Sequence, residues 1–200
     1  MLFRSEVKAT FVFNFLKFVS WPPQALASAA NLDACVFGDS QISTPLEAFS
    51  GQAVEGHKLT VKRVVDPSDQ QFCHLVFVSE VESRRAAIAL GVTHNLSALT
   101  IGEQADFLSR GGMINFVSED NKVRFDINQA AAERVNLKIS AHLLRLARQL
   151  EQGTEPELLQ HPEWHRVKAI DAVSSQDNLG ALWDEHHARV LQAAHAAETK

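Results

Sequence analysis

Residues Gly111 to Ala147 read GGMINFVSEDNKVRFDINQAAAERVNLKISAHLLRLA, and this stretch decides the fold. Met113 to Val117 and Val123 to Ile127 are apolar runs separated by Ser118-Glu119-Asp120-Asn121-Lys122, a polar cluster suited to a turn. In the second run Val123, Phe125 and Ile127 alternate with Arg124 and Asp126, the period of a half-buried strand. Asn128 then stands where a helix N-cap belongs, ahead of Gln129-Ala130-Ala131-Ala132-Glu133. A hairpin followed by two helices is expected. Its residues carry no catalytic chemistry and read as a surface.

Working back from the hairpin, apolar strands alternate with helical stretches. Glu6 to Val19 predicts a helix with Val7, Phe11, Phe15 and Phe18 on one stripe, stopped by Trp21-Pro22-Pro23. Strands are expected at Ala34–Phe37, Lys58–Val65, Leu75–Val78 and Leu96–Ile101, with helical pieces near 44–49, 81–90 and 105–109. Leu143, Leu144, Ala147 and Leu150 make the last helix amphipathic. This order argues for an α/β fold, a mostly parallel sheet flanked by helices with the hairpin as its C-terminal antiparallel edge. Two units are expected: residues 5–150 as the α/β domain and 151–200 as an acidic, histidine-rich helical extension.

Charge supports that division. Residues 1–150 hold 15 basic and 15 acidic side chains, whereas 151–200 hold 4 and 9, so the net charge of −5 belongs to the tail. Basic residues cluster no further than the pairs Lys62-Arg63 and Arg84-Arg85, which argues against a nucleic-acid partner. The apolar runs fall far short of the roughly 20 residues of a membrane span. In the tail, Trp164, Val167 and Ile170 suggest one short helix, and Leu179, Leu182, Trp183, Val190 and Leu191 a second. These faces need a cover, either the domain, a second copy or a partner.

Enzymatic signatures are thin. Cys73 and His74 are adjacent, so on a strand they point to opposite faces and cannot act together as nucleophile and base. Neither GxGxxG nor GxxxxGK[ST] occurs, and Asp39 lacks the acidic neighbours a receiver domain needs. His161-Pro162-Glu163-Trp164-His165 misplaces the glutamate of a metalloprotease helix, and Pro162 makes His161 a cap. Neither metal nor cofactor is expected. Gly38-Asp39-Ser40, Ser79-Glu80 and Gly102-Glu103 close three strands, and a ligand crevice in an open α/β sheet lies outside such ends. A small-ligand sensor using Asp39, Glu80 and Glu103 is therefore the competing reading. Cys35 and Cys73, the only cysteines, both sit at strand positions; the residues alone leave open one bridge or two buried thiols.

Three blocks resemble the YfiR family. They are Gly111-Gly112-Met113-Ile114-Asn115-Phe116 with Val123 to Asn128, Lys138-Ile139-Ser140 and Leu143 to Ala147; Val7 to Thr10-Phe11 with Asn14 to Pro22; and Cys73 to Ser79. The likeness runs from about residue 6 to 149. It implies a non-enzymatic periplasmic protein that binds and inhibits the periplasmic domain of a membrane-bound diguanylate cyclase, lowering cyclic di-GMP and biofilm formation. The resemblance also implies a Cys35–Cys73 disulfide, whereas the family's second pair has no counterpart near Leu108 to Asn115, which puts redox control through that bridge in doubt. A signal peptide is not seen before the first helix, so a truncated start is expected over a cytoplasmic address. On this reading Ile114, Phe116, Arg124, Asp126 and Ala132 form an exposed partner-binding patch, and the protein is a homodimer. A small-molecule site is a further expectation where Trp21 meets Lys138 and Ser140.

Overall fold

In the computed structural model the chain is described over residues 2–147, apart from Ser28, Ser83, Asp120 and Asn121, and as backbone strands at 149–151 and 164–166. The elements are α1 (Leu2–Lys17), β1 (Val19–Ser20), α2 (Pro23–Leu26), β2 (Asn31–Phe37), α3 (Ser43–Glu47), β3 (Ala53–Val54) and β4 (His57–Val64). A 3-10 helix, Pro67–Phe72, precedes β5 (Leu75–Val78), and a second, Glu80–Glu82, precedes α4 (Ala86–Thr93). β6 (Leu99–Gly102), β7 (Ile114–Glu119), β8 (Lys122–Asn128), α5 (Gln129–Arg134), β9 (Lys138–Ile139), α6 (Ala141–Leu146), β10 (Gln149–Glu151) and β11 (Trp164–Arg166) follow.

The main sheet has the order β11-β10-β8-β7-β6-β5-β2-β4-β3. Five of its pairings are parallel and three antiparallel, so the α/β expectation holds with a mixed sheet. The central strands β5 and β6 are buried along their whole length, which is why they read as continuous apolar runs. The β7–β8 hairpin is not the edge, because β10 adds to β8 in parallel. Leu150 therefore belongs to a strand and not to the last helix, which ends at Leu146. Residues 105–109 form turns where a helical piece is expected. Trp164 likewise lies on a strand, while Val167, Ile170, Leu179, Leu182, Trp183, Val190, Leu191, His161, His186, His187 and His195 lie outside the described residues.

Helices and turns cover both sheet faces. The larger core lies under α1 and α3, and a smaller one lies under the Pro67–Phe72 helix and α4. α1 is buried nearly all round, beyond the single stripe expected from its sequence. Phe13 stacks on Phe49 at 4.5 Å between ring centroids, whereas Phe11 and Phe15 face the hairpin phenylalanines. A helix wedged between α3 and a sheet has little surface left for solvent. Asn128 caps α5 as its sequence suggests, its side chain accepting from the Ala131 amide at 2.9 Å.

Candidate partner interface

Hairpin register sets what the expected patch can present. Ile114 lies opposite Ile127 and Phe116 opposite Phe125, so all four share the face under α1. Phe125 sits 5.8 Å from Phe11 and 4.8 Å, edge-on, from Phe15; Phe116 is 5.8 Å from Phe15. These rings are core. Ala132, on α5, is covered by the same cluster. Asp126 points to the other face, directly across from Asn115, and both are buried beneath the sheet's second cover. Ile114, Phe116, Asp126 and Ala132 are each no more than 5% exposed, which corrects the expectation of an exposed rim. The alternation has the expected period; what a strand's own sequence does not display is a second layer over the polar face.

Of the five expected interface residues, Arg124 is the one that is partly exposed, and even there the guanidinium Nε is buried. With Val117, Ser118, Glu119, Lys122 and Val123 it forms the outward half of the hairpin, of which Val123 still packs against the larger core. That half is a charged, weakly apolar projection on a rigid base.

Cys35 and Cys73 are bonded, with their Cα atoms 5.9 Å apart, within the ordinary disulfide range. The bridge ties the end of the Pro67–Phe72 helix to β2 inside the smaller core. Beside it, His74 accepts the Asp33 amide on Nδ1 at 3.0 Å and faces the Ala25 carbonyl through Nε2 at 3.3 Å. Burial lowers its pKa below the ordinary value, against the opposing pull of the Ala25 hydrogen bond and of Asp33.

The parallel strands do bring Gly38-Asp39, Ser79-Glu80 and Gly102-Glu103 together, as the strand-end argument anticipates. The polar groups there largely bond one another. Ser79 donates its hydroxyl to the Asp39 carbonyl at 3.3 Å, and the Gln104 amide donates to the Val78 and Ser79 carbonyls at 3.2 and 2.6 Å. Glu103 pairs with Lys8 of α1 and accepts the Glu80 amide at 3.4 Å. The Phe107 ring packs on Gly102 and Gly112, where any Cβ would collide with it. Asp39 and Glu80 themselves are exposed.

β1 and β9 pair as a separate two-stranded sheet, which sets Lys138 opposite Ser20, the neighbour of Trp21, and Ser140 beside Phe18. Trp21 is buried and its indole N–H points to the His74 carbonyl at 3.3 Å. Ser140 caps α6 by accepting the Leu143 amide at 3.2 Å, and Lys138 is exposed. Two of the three are thus committed to holding the fold.

One exposed group has no counterpart among the sequence expectations. Val65, Phe72, Val81 and Ile88 are the exposed large apolar side chains among the described residues. The available signal is Val64-Val65, consecutive residues at a strand end, one of which must face outward.

A family model described as YfiR/HmsC-like matches residues 5–148. No curated protein matches the chain. Among solved structures, a conserved domain protein from Vibrio cholerae O1 biovar El Tor strain N16961 is similar at 11% identity and a TM-score of 0.49. The similarity covers 72% of this chain and 60% of that one, so the chain spans less than two thirds of that protein's length.

Proposed function

The chain belongs to the YfiR/HmsC-like family, and we propose on that footing that it is a non-enzymatic periplasmic regulator which binds the periplasmic domain of a membrane-bound diguanylate cyclase and holds it inactive. The observation that carries this reading is the family match across residues 5–148, which takes in α1, the whole sheet through β8 and both helices after the hairpin. A disulfide between core positions is in keeping with an oxidising compartment. No helix among the described residues is long and apolar enough to cross a membrane. On this reading the cyclase supplies the membrane attachment.

Inhibition is a difference in affinity. A regulator that binds the inactive cyclase ~100-fold better than the active one shifts its equilibrium by about 2.7 kcal/mol. The outward half of the hairpin, with Arg124 at its centre, is the partner-facing surface; Ile114, Phe116, Asp126 and Ala132 act from beneath by fixing its shape. The protein works as a homodimer on this reading, and reduction of Cys35–Cys73 relieves repression by loosening the smaller core.

The test is co-purification from an envelope fraction of cells expressing the full gene product, in oxidising and reducing arms. Recovery of a diguanylate cyclase with the oxidised protein, and its loss in an Arg124→Glu variant of unchanged melting temperature, is the expected result. A protein recovered alone, cytoplasmic and with free thiols overturns the proposal.

A further inference from the structure

Two imidazoles hold one stretch of chain. His74, immediately before β5, lies with Nε2 3.3 Å from the Ala25 carbonyl, and His57, the first residue of β4, places Nδ1 3.0 Å from the Ala29 carbonyl. Both carbonyls belong to α2 and the chain that leads from it to β2. The backbone bonds of that stretch are local: the Ala25 amide donates to the Pro22 carbonyl and the Ala29 amide to that of Leu26. α2 is four residues long and none of them is fully buried. A single helical turn is unstable in water by itself. The stretch is held down by Ala25 and Leu26, which pack on the larger core, and by the two rings that engage its carbonyls.

One of the rings is tied on both sides. His74 Nδ1 accepts the Asp33 amide at 3.0 Å, so its proton sits on Nε2 and serves Ala25. A second proton, on Nδ1, would face an N–H. The Asp33 backbone has no room to retreat, because its carbonyl accepts the His74 amide at 2.8 Å and β2 pairs with both β4 and β5. The ring must swing away instead, and Ala25 loses its donor. Burial is the largest influence on the ring and disfavours its charged form; the Ala25 bond and Asp33 of β2 favour the proton, and His57 and Lys62 of β4 oppose it. Lys62 also pairs with Asp33 at 2.9 Å. A ring released into water escapes the burial penalty, so the released form takes the proton more readily than the held one, and falling pH favours release.

We propose that α2 and the chain after it form a strap, latched by His57 and His74 at neutral pH and let go at Ala25 when His74 takes up a proton. Trp21 lies at the hinge: it is buried, it precedes the Pro22 cap of α2, and its indole N–H points to the His74 carbonyl at 3.3 Å. Release uncovers this corner and the seat of Leu26 on the larger core, while the sheet stays intact. The domain thereby carries a proton-gated surface on the side where β1 meets β9. This holds whether or not the hairpin meets a cyclase.

The experiment follows amide hydrogen exchange in the full chain by NMR from pH 7.5 to 4.5, with each rate normalised to the intrinsic rate at that pH. Protection of the Ala25 and Asp33 amides is expected to fall by roughly tenfold or more through the histidine range, while the amides of β5 and β6 keep theirs. In His74→Asn that response to pH should vanish. His57→Phe should lower protection at Ala29 at every pH and leave the response at Ala25 in place. Protection at Ala25 and Asp33 that ignores pH in the wild type would overturn the proposal, as would a loss that the core strands share or that persists in His74→Asn. An Ala29 amide untouched in His57→Phe would remove His57 from the latch and overturn the two-ring arrangement.

Discussion

His74 Nδ1 accepts the Asp33 amide at 3.0 Å, one residue from the cysteine that is bonded to Cys35. Such a bond requires the neutral ring with its proton on Nε2, where the Ala25 carbonyl lies 3.3 Å away. The α2 segment, β2 and the approach to β5 therefore meet at one imidazole. A protonated ring would set an N–H against the Asp33 amide.

Acidification is expected to weaken the fold through this ring. Burial lowers the His74 pKa from its ordinary value of 6.5, so the unfolded chain binds the proton more readily than the folded one. The contribution of His74 is complete above pH 6.5 and is lost as pH falls from there through the lowered folded value, after which it falls no further. Melting temperatures measured from pH 7.5 to 4.5 should drop more steeply for the wild type than for His74→Asn, which keeps an acceptor near Nδ1 without titrating. Parallel curves would rule the imidazole out.

Removing the bridge should cost more than any single contact in the smaller core. Closing a loop across 38 residues stabilises by about 3–4 kcal/mol in the chain-entropy model. For the double variant Cys35→Ala/Cys73→Ala the melting temperature should fall on the order of 10 °C. Dithiothreitol should reproduce that shift in the wild type and leave the variant unmoved. A variant that melts with the wild type would mean that packing alone holds the Pro67–Phe72 helix on β2.

Local signals explain where the sequence is readable. β5 and β6 announce themselves because a buried parallel strand needs apolar residues on both faces, and Asn128 because a cap is a short-range bond. The β1–β9 pair is two residues long and joins segments more than a hundred residues apart, so no periodicity marks it. Asp126 shows a different limit. Its alternation with Phe125 fixes which face it occupies, but whether that face meets water depends on the turn at 105–109, whose Leu108 carbonyl accepts the Asn128 side-chain amide on the same face. The expected interface and the observed surface part for that reason: strand period is legible and layer number is not.

Phe107 makes Gly112 irreplaceable. An added Cβ would strike its ring and come within 2.8 Å of its carbonyl oxygen, which already accepts the Gly112 amide at 3.0 Å. Gly112→Ala should destabilise by roughly 1–3 kcal/mol through overpacking. At Gly91, inside α4, an added methyl group would meet nothing within 4 Å, and Gly91→Ala should stabilise by about 0.5–1 kcal/mol. Chemical denaturation of the two variants reads both signs. Equal effects would show that Phe107 can move aside.

Asp126→Lys and Arg124→Glu separate the surface of the hairpin from its foundation. Asp126 is 5% exposed and faces the equally covered Asn115, so a lysine there must bury an ammonium or push the strands apart. A loss of roughly 3 kcal/mol or more is expected, with less protein recovered from cells. Arg124, partly exposed on the same strand face two residues away, should tolerate glutamate at a far smaller cost, within about 1 kcal/mol. Both variants should raise cyclic di-GMP, one by losing the regulator and the other by losing its grip on the cyclase. Measured together, regulator abundance and cyclic di-GMP distinguish the two routes. If Arg124→Glu leaves the cyclic di-GMP level unchanged at normal abundance, the outward half of the hairpin is not where the cyclase is held.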